Sequence, residues 1–204
     1  MITKNKLAIE LSKIEPFKEP NLILEQYNLD SETAANILWT AYMNNDVKKK
    51  TIADLGAGTG ILGYGCLILE AKKVFLVDKD NKALTQAKNK IKSKKAVFIN
   101  KDVKDFNEPV DIVIQNPPFG TKIKHSDKTF LEKAMKISDK IYSIHKITSK
   151  KFIESLSKDH DFKVVSTIPI SLNIKNTYSF HKKPKKQISL GIWILEKQKF
   201  KKPL

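Results

Sequence analysis

The chain is poor in cysteine, and it lacks both long apolar runs and a signal-peptide pattern. Cys66 is the one cysteine among 204 residues, so an intrachain disulfide and a zinc site built from cysteines are excluded, and no metal site is predicted. No apolar run approaches the roughly 18 residues that a membrane span requires. Residues 1–18 lack the apolar core of a signal peptide. We therefore expect a soluble, cytoplasmic protein without a membrane partner.

Acidic residues are the minority among the charged ones. The sequence has 22 Asp and Glu against 38 Lys and Arg, which gives a formal net charge of +16 and an isoelectric point near 9.7. A surplus of this size favours binding to nucleic acid or another polyanion, although a lysine-rich proteome would produce the same composition. A hydrophobic content of 41% suits a folded chain, and the length predicts a single domain over 1–204.

Two patterns follow one another along the chain. Residues 1–45 are predicted to form an N-terminal helical extension, which includes a helix capped by Ser31. A Rossmann-like core is predicted over 51–204, because apolar strands there alternate with helices. The expected fold is α/β, a doubly wound and mostly parallel seven-stranded sheet with a C-terminal antiparallel hairpin. The seven strands are expected at 51–55, 73–78, 96–100, 110–115, 141–145, 162–169 and 187–196.

A glycine-rich turn, Asp54–Gly60, joins the first strand to the following helix. Gly56 and Gly58 allow a tight turn and close approach of a ligand to the backbone. Asp78 ends the second strand, where a carboxylate can accept both ribose hydroxyls of a nucleotide. Asp102 follows the third strand and is placed to contact an adenine amino group. These residues alone are compatible with either NAD or S-adenosylmethionine as the cofactor.

The loop after the fourth strand decides between these cofactors. It reads Asn116-Pro117-Pro118-Phe119, and the two prolines make it stiff because they fix φ and remove N–H donors. The Asn116 side-chain oxygen and the Pro117 carbonyl can each accept one N–H of an amino group on a planar ring, on which Phe119 can stack. These bonds aim the nitrogen lone pair at a methyl sulfonium. The loop thus predicts an amino-methyltransferase that uses S-adenosylmethionine, and a base as target would have to be unpaired or flipped out.

The same loop resembles motif IV of amino-methyltransferases. More narrowly, the chain resembles the methyltransferase-like family that makes N6-methyladenosine in small-subunit ribosomal RNA. The resemblance spans nearly the whole chain and is carried by Leu24–Tyr27, Asp54–Gly60, Asn116–Lys122, Tyr142–Lys146 and Tyr178–Lys183. It implies methyl transfer from S-adenosylmethionine to adenosine N6 in RNA.

The family resemblance also implies a set of cofactor contacts. They are Gln26, Gly56, Thr59, Ile61, Asp78, Asp102 and Val103. Leu29 is a departure, since it stands where the family usually has a threonine and cannot provide that hydroxyl. The resemblance implies a small zinc-binding activator protein as a further partner.

Two basic segments are interpreted as RNA contacts. Lys122 and Lys124 follow the Asn-Pro-Pro-Phe loop, and a later segment combines aromatic and basic side chains suited to single-stranded RNA, with Phe180, His181, Lys182 and Lys183. His125 and His145 are not expected to act as bases, because a methylated amino group loses its proton readily. Three alternatives remain: a protein glutamine N5 methyltransferase, a DNA adenine-N6 methyltransferase and a non-catalytic RNA-binding module.

Overall fold

A seven-stranded sheet forms the centre of the molecule. The computed structural model describes residues 2–21, 23–26, 28–120, 122, 125–174 and 186–198. The strand order is β3-β2-β1-β4-β5-β7-β6, with the first five strands parallel and β7 antiparallel to both of its neighbours. This confirms the predicted fold class. The strands are β1 (Thr51–Leu55), β2 (Lys73–Asp78), β3 (Ala96–Asn100), β4 (Ile112–Gln115), β5 (Lys140–Lys146), β6 (Phe162–Ile174) and β7 (Lys186–Lys197).

Helices cover both faces of this sheet. Neighbouring strand residues point to opposite faces, so Ile52 joins one apolar cluster and Ala53 the other. Helices α1 to α4 contribute to the first cluster, and α5 and α6 contribute to the second. The helices are α1 (Lys4–Leu11), α2 (Ser31–Met43), α3 (Ile61–Ile68), α4 (Asn81–Lys90), α5 (Ser126–Ile137) and α6 (Lys150–Asp159).

The N-terminal helices are part of this packing. Leu7 and Leu11 of α1 are fully buried in the same cluster as the strand residues. Helix α2 begins at Ser31, but its cap is Asp30, whose carboxylate accepts the Thr33 N–H. The sequence interpretation of Ser31 as the cap was wrong by one residue, since Asp and Ser are both favourable caps. Among the described residues, every helix is too short or too polar to cross a membrane.

The two strands of the C-terminal hairpin extend beyond β5, the strand next to which the hairpin lies. The last residue of β5, Lys146, pairs with Leu190, but β6 and β7 continue to pair through Ser171–Ile174 and Lys186–Ser189. Four residue pairs at about 3.3 Å each extend the ribbon about 13 Å past β5. Because β5 is parallel to β1, β2 and β4, the ribbon leaves the sheet at the edge where the carboxyl ends of those strands lie.

Candidate active site

A cavity of about 540 Å³ opens at the carboxyl ends of β1, β2 and β4. Ligands bind at this edge in open α/β sheets. Residues from three separate parts of the sequence meet there: the glycine turn, the ends of the strands and the N-terminal segment before α2. The predicted cofactor residues all lie on its wall, namely Gln26, Gly56, Gly58, Thr59, Ile61, Asp78, Asp102 and Val103.

The glycine turn is shaped by contacts that leave no room for side chains. Gly56 and Gly58 have φ values of 70° and 53°, in the left-handed region that favours glycine. A Cβ atom on Gly56 would lie 2.8 Å from the Phe130 ring, and one on Gly58 would lie 2.6 Å from the Phe17 ring. Glycine is therefore strongly favoured at both positions, because a side chain there would strain the backbone and displace a phenylalanine ring, and the backbone itself forms the cavity wall.

Asp54 lies beneath this turn. It is 1% exposed and accepts the Gly63 N–H at 2.8 Å. Burial raises the pKa of the Asp54 carboxyl to about 7, against the opposing effect of the Gly63 hydrogen bond and with a further contribution from the Asp78 charge. A carboxyl group that titrates near neutrality thus borders the cavity.

The two carboxylates predicted to bind a nucleoside are held by backbone donors. Asp78 accepts the Gly58 N–H and the Asp80 N–H, both at 2.8 Å. Burial raises the pKa of Asp78, and these hydrogen bonds oppose the rise. Asp102 caps a short 3₁₀ turn through the Lys104 N–H at 3.2 Å. Both side chains are therefore fixed in position at the strand ends.

The outer wall of the cavity comes from the N-terminal strap, which we define as residues 12–21, 23–26 and 28–30. Phe17 packs over the glycine turn, and its N–H donates to Asn28 Oδ1 at 2.9 Å. Gln26 Nε2 donates to Asp80 Oδ2 at 2.7 Å. Leu29 also borders the cavity and is 8% exposed within the core. The residue that departs from the family pattern thus packs as an apolar core side chain.

The Asn-Pro-Pro-Phe loop meets the cavity through two of its four residues. Asn116 and Pro118 lie on the wall, at the end of β4. Among the described residues, Pro117 and Phe119 are not on that wall: Pro117 is buried, and Phe119 is half-buried against the core. The Lys146 ammonium lies 5.6 Å from the centre of the Phe119 ring, within the range of a cation–π contact.

His125 and His145, the two histidines weighed as bases in the sequence analysis, have different surroundings. His125 is exposed and borders the cavity. His145 is 1% exposed, and its Nε2 lies 2.7 Å from Ser143 Oγ, which accepts a hydrogen bond from Gln115 Nε2. Burial lowers the pKa of His145 to about 3, so this imidazole is neutral at physiological pH. His145 belongs to a buried polar chain behind the loop rather than to the cavity wall.

The predicted RNA contacts are described only in part. Lys122 is exposed and lies outside the cavity wall. Lys124 and the four residues Phe180, His181, Lys182 and Lys183 lie outside the described residues. Across the described part of the chain, no group of His, Cys, Asp and Glu could hold a metal ion.

Sequence reasoning did not identify four residues that shape the site, Phe17, Glu25, Asp54 and Phe130. Glu25 and Asp54 lie within Leu24–Tyr27 and Asp54–Gly60, two of the segments that carry the family resemblance, but the sequence assigned neither residue a role. Phe17 has no comparable signal, because it precedes α2 in an irregular segment.

The fold and the cavity define a Rossmann-like methyltransferase. A family model described as the methyltransferase small domain matches residues 26–140. The chain belongs to this methyltransferase family, and its relatives include rRNA N(6)-adenosine-methyltransferases. These matches confirm the resemblance seen in the sequence and the prediction of an enzyme.

Three relatives show how far the similarity extends. An uncharacterized protein of Methanocaldococcus jannaschii is 35% identical over 98% of this chain and 97% of its own. The rRNA N(6)-adenosine-methyltransferase METTL5 of Danio rerio is 31% identical over 85% of this chain and 88% of its own. A crystal structure from Pyrococcus horikoshii, described provisionally as an RNA methyltransferase, is 40% identical with a TM-score of 0.89, over 95% of this chain and 98% of that one.

Proposed function

We propose that this protein transfers a methyl group from S-adenosylmethionine to the N6 amino group of an adenosine in RNA, and that the RNA is small-subunit ribosomal RNA. One observation carries the proposal: Asn116 and Pro118 lie on the wall of the same cavity as the glycine turn and the two strand-end carboxylates. A methyl donor and an acceptor nitrogen would therefore meet in one space. The activity named for the Danio rerio relative supports the same reaction.

The cavity suits S-adenosylmethionine in size and in chemistry. A volume of about 540 Å³ is within the range of cofactor sites. Asp78 would accept the ribose hydroxyls and Asp102 the adenine amino group, while Gln26 and the backbone at Gly56 and Gly58 would complete the contacts. The donor carries a positive sulfonium, and the acidic side chains on the wall match that charge. When bound, it supplies an electrophilic methyl group.

The protein's own part in the reaction is to position the acceptor. Asn116 Oδ1 would accept one N–H of the adenine amino group. The carbonyl of Pro117, which stands in the chain between the wall residues Asn116 and Pro118, would accept the other, so that the nitrogen lone pair is oriented toward the donor. The half-exposed Phe119 ring offers a surface for stacking. The proton leaves the methylated nitrogen to water, because that nitrogen is strongly acidic after transfer. His145 takes no part, since it is buried and neutral.

The RNA preference is supported by charge and by the hairpin. The net charge of +16 favours a polyanionic substrate. The ribbon of β6 and β7 projects at the edge of the sheet that carries the cavity, and the chain between them contains the predicted contacts at 180–183. Lysines for phosphates and an aromatic for stacking suit an unpaired strand. An unpaired adenosine could enter the cavity without the cost of opening a duplex.

Two further parts of the proposal concern a partner and the location. A small zinc-binding activator protein is proposed as a partner, as the family resemblance implies, and the enzyme is proposed to be cytoplasmic. Co-expression with such an activator should raise the melting temperature of the chain, because binding to the folded state stabilises it. Equal melting temperatures with and without the activator would argue against this partner.

A labelling experiment tests the proposed substrate. The purified protein is incubated with tritiated methyl donor and, separately, with deproteinised small-subunit ribosomal RNA, a peptide-chain release factor and DNA. Label should appear in the RNA. Label only in the release factor would favour glutamine N5 methylation, and label only in DNA would favour the DNA alternative. Absence of donor binding in calorimetry would favour a non-catalytic RNA-binding module.

A further inference from the structure

Glu25 adopts a backbone conformation that is rare for residues with a side chain. Its φ is 53°, in the left-handed region, where Cβ crowds the following carbonyl oxygen. Strain of this kind persists where the surrounding structure holds it, and it is concentrated at functional sites. Glu25 belongs to the N-terminal strap and borders the cavity.

The Glu25 carboxylate holds the backbone that follows the two prolines of the Asn-Pro-Pro-Phe loop. Its Oε2 accepts the Phe119 N–H at 2.9 Å, and its Oε1 accepts the Lys122 N–H at 2.6 Å. Between these donors, Gly120 turns the chain with a φ of 68°. One carboxylate thus holds the chain at both ends of a short turn. Hydrogen bonds to a charged acceptor are among the stronger ones in proteins.

The next residue of the strap reaches the opposite side of the cavity. Gln26 Nε2 donates to Asp80 Oδ2 at 2.7 Å, and Asp80 caps α4 directly after β2. The Asp80 N–H donates to Asp78 Oδ1 at 2.8 Å. Two adjacent residues of the strap therefore connect the loop after β4 with the loop after β2, across the space proposed for the cofactor.

We propose that Glu25 is a positioning residue whose carboxylate couples occupation of the cofactor cavity to the order of the loop that carries Asn116. The inference rests on the proposed function, because it takes Gln26 and Asp78 as cofactor contacts. A cofactor on those two residues would order the strap, and the strap would then hold Phe119 and Lys122 through Glu25. The carboxylate accepts backbone N–H groups at 2.9 and 2.6 Å and takes no part in bond making.

Amide hydrogen exchange tests this coupling without relying on activity. In the wild-type protein, S-adenosylmethionine should slow exchange of the Phe119 and Lys122 amides by about tenfold or more. In Glu25→Gln one side-chain oxygen still accepts, but the amide nitrogen faces the second N–H, so the slowing should be lost for at least one amide. Equal slowing in the wild type and in Glu25→Gln would overturn the proposal.

Two more variants separate the effect of the Glu25 carboxylate from the effects of lost charge and of backbone strain. Glu19→Gln makes the same chemical change at an exposed side chain that pairs with Lys82 and lies outside the cavity wall, and it should keep the wild-type slowing. Glu25→Gly relieves the left-handed φ but lacks the carboxylate, and it should lose the slowing at both amides. If Glu25→Gly retains it, backbone conformation rather than the carboxylate orders the loop, and the proposal is wrong.

Activity distinguishes failure of the coupling from failure of the proposed function. At saturating donor, the single-turnover rate of RNA methylation should fall about tenfold to a hundredfold in Glu25→Gln and stay unchanged in Glu19→Gln. If the wild-type protein methylates no RNA but the donor still protects both amides, the proposed function fails and the coupling stands. If RNA is methylated at equal rates in the wild type and Glu25→Gln, the coupling fails and the function stands.

Discussion

Protonation of Asp54 should make the stability of the folded protein depend on pH in an unusual direction. The carboxyl group is buried beneath the glycine turn, and burial raises its pKa from 3.8 to about 7. Between these two pH values the folded state binds a proton that the unfolded state has released. This group therefore contributes less stability as pH rises from about 4 to about 7, and its contribution is constant above that range.

The size of the effect follows from the displacement of the pKa of Asp54. A shift from 3.8 to about 7 corresponds to about 4 kcal/mol over the full range, at about 1.4 kcal/mol per pH unit. Between pH 5 and pH 8, a range that is practical to measure, the loss of folding stability due to Asp54 is about 3 kcal/mol. Ordinary carboxylates that are favourably paired produce the opposite slope, so a variant is needed to isolate this one.

Asp54→Asn provides that comparison. The amide is neutral at every pH and keeps an oxygen that can accept the Gly63 N–H. The free energy of unfolding is measured by urea titration at pH 5, 6, 7 and 8. The value for the variant minus the value for the wild type should increase by about 3 kcal/mol from pH 5 to pH 8. A difference between variant and wild type that does not change with pH would refute the reasoning, because Asp54 would then titrate alike in both states.

Other substitutions test separate parts of the site. Asn116→Ala should slow methyl transfer by about a hundredfold or more and leave the Kd for the donor, measured by calorimetry, nearly unchanged; a large loss of donor affinity would mean that Asn116 is misassigned. Gly58→Ala places a Cβ 2.6 Å from the Phe17 ring at a φ of 53°. It should weaken donor binding about tenfold or more, and an unchanged Kd would contradict the role given to the turn. Changing Lys182 and Lys183 together to Ala should reduce the slope of log affinity for single-stranded RNA against log salt by about 1.4. An unchanged slope would remove those lysines from the RNA interface.

The sequence predicted the sheet well because local patterns determine it. Apolar strands, each followed by a helix, lead to parallel pairing, and two final strands without a helix lead to a hairpin. The main difference in length concerns β6, which was predicted to end at Pro169 and continues to Ile174. The predicted strand ended at a proline, but β6 is the edge strand of the sheet, where a missing N–H donor is tolerated.

From local patterns, the cavity was predictable only as far as its residues follow the strands in sequence, and the family resemblance added Gln26 of the strap. Gly56, Gly58, Asp78 and Asp102 stand directly at strand ends, so the fold alone brings them together. The position of the strap cannot be predicted in this way, because its path depends on contacts between residues far apart in the chain. The left-handed conformation of Glu25 and its reach to the catalytic loop follow from that path, and no local pattern indicates them.

Leu29 shows the limit of comparison by motif. The sequence identified it as a departure that removes a hydroxyl from the cofactor site, and it does border the cavity. It is also buried at 8% exposure in the main apolar cluster, so its side chain has a packing role that the motif does not express. Its effect on donor affinity stays a prediction, which Leu29→Thr and calorimetry would measure.

The central claim is methylation at adenosine N6 in RNA, and nucleoside analysis tests it most directly. Small-subunit ribosomal RNA treated with the protein and S-adenosylmethionine is digested to nucleosides and analysed by mass spectrometry, with Asn116→Ala as the matched control. We predict N6-methyladenosine in the wild-type reaction and, after the same short reaction time, at most about a hundredth as much with the variant. Methylation of another nucleoside, or equal N6-methyladenosine in both reactions, would contradict the proposed function.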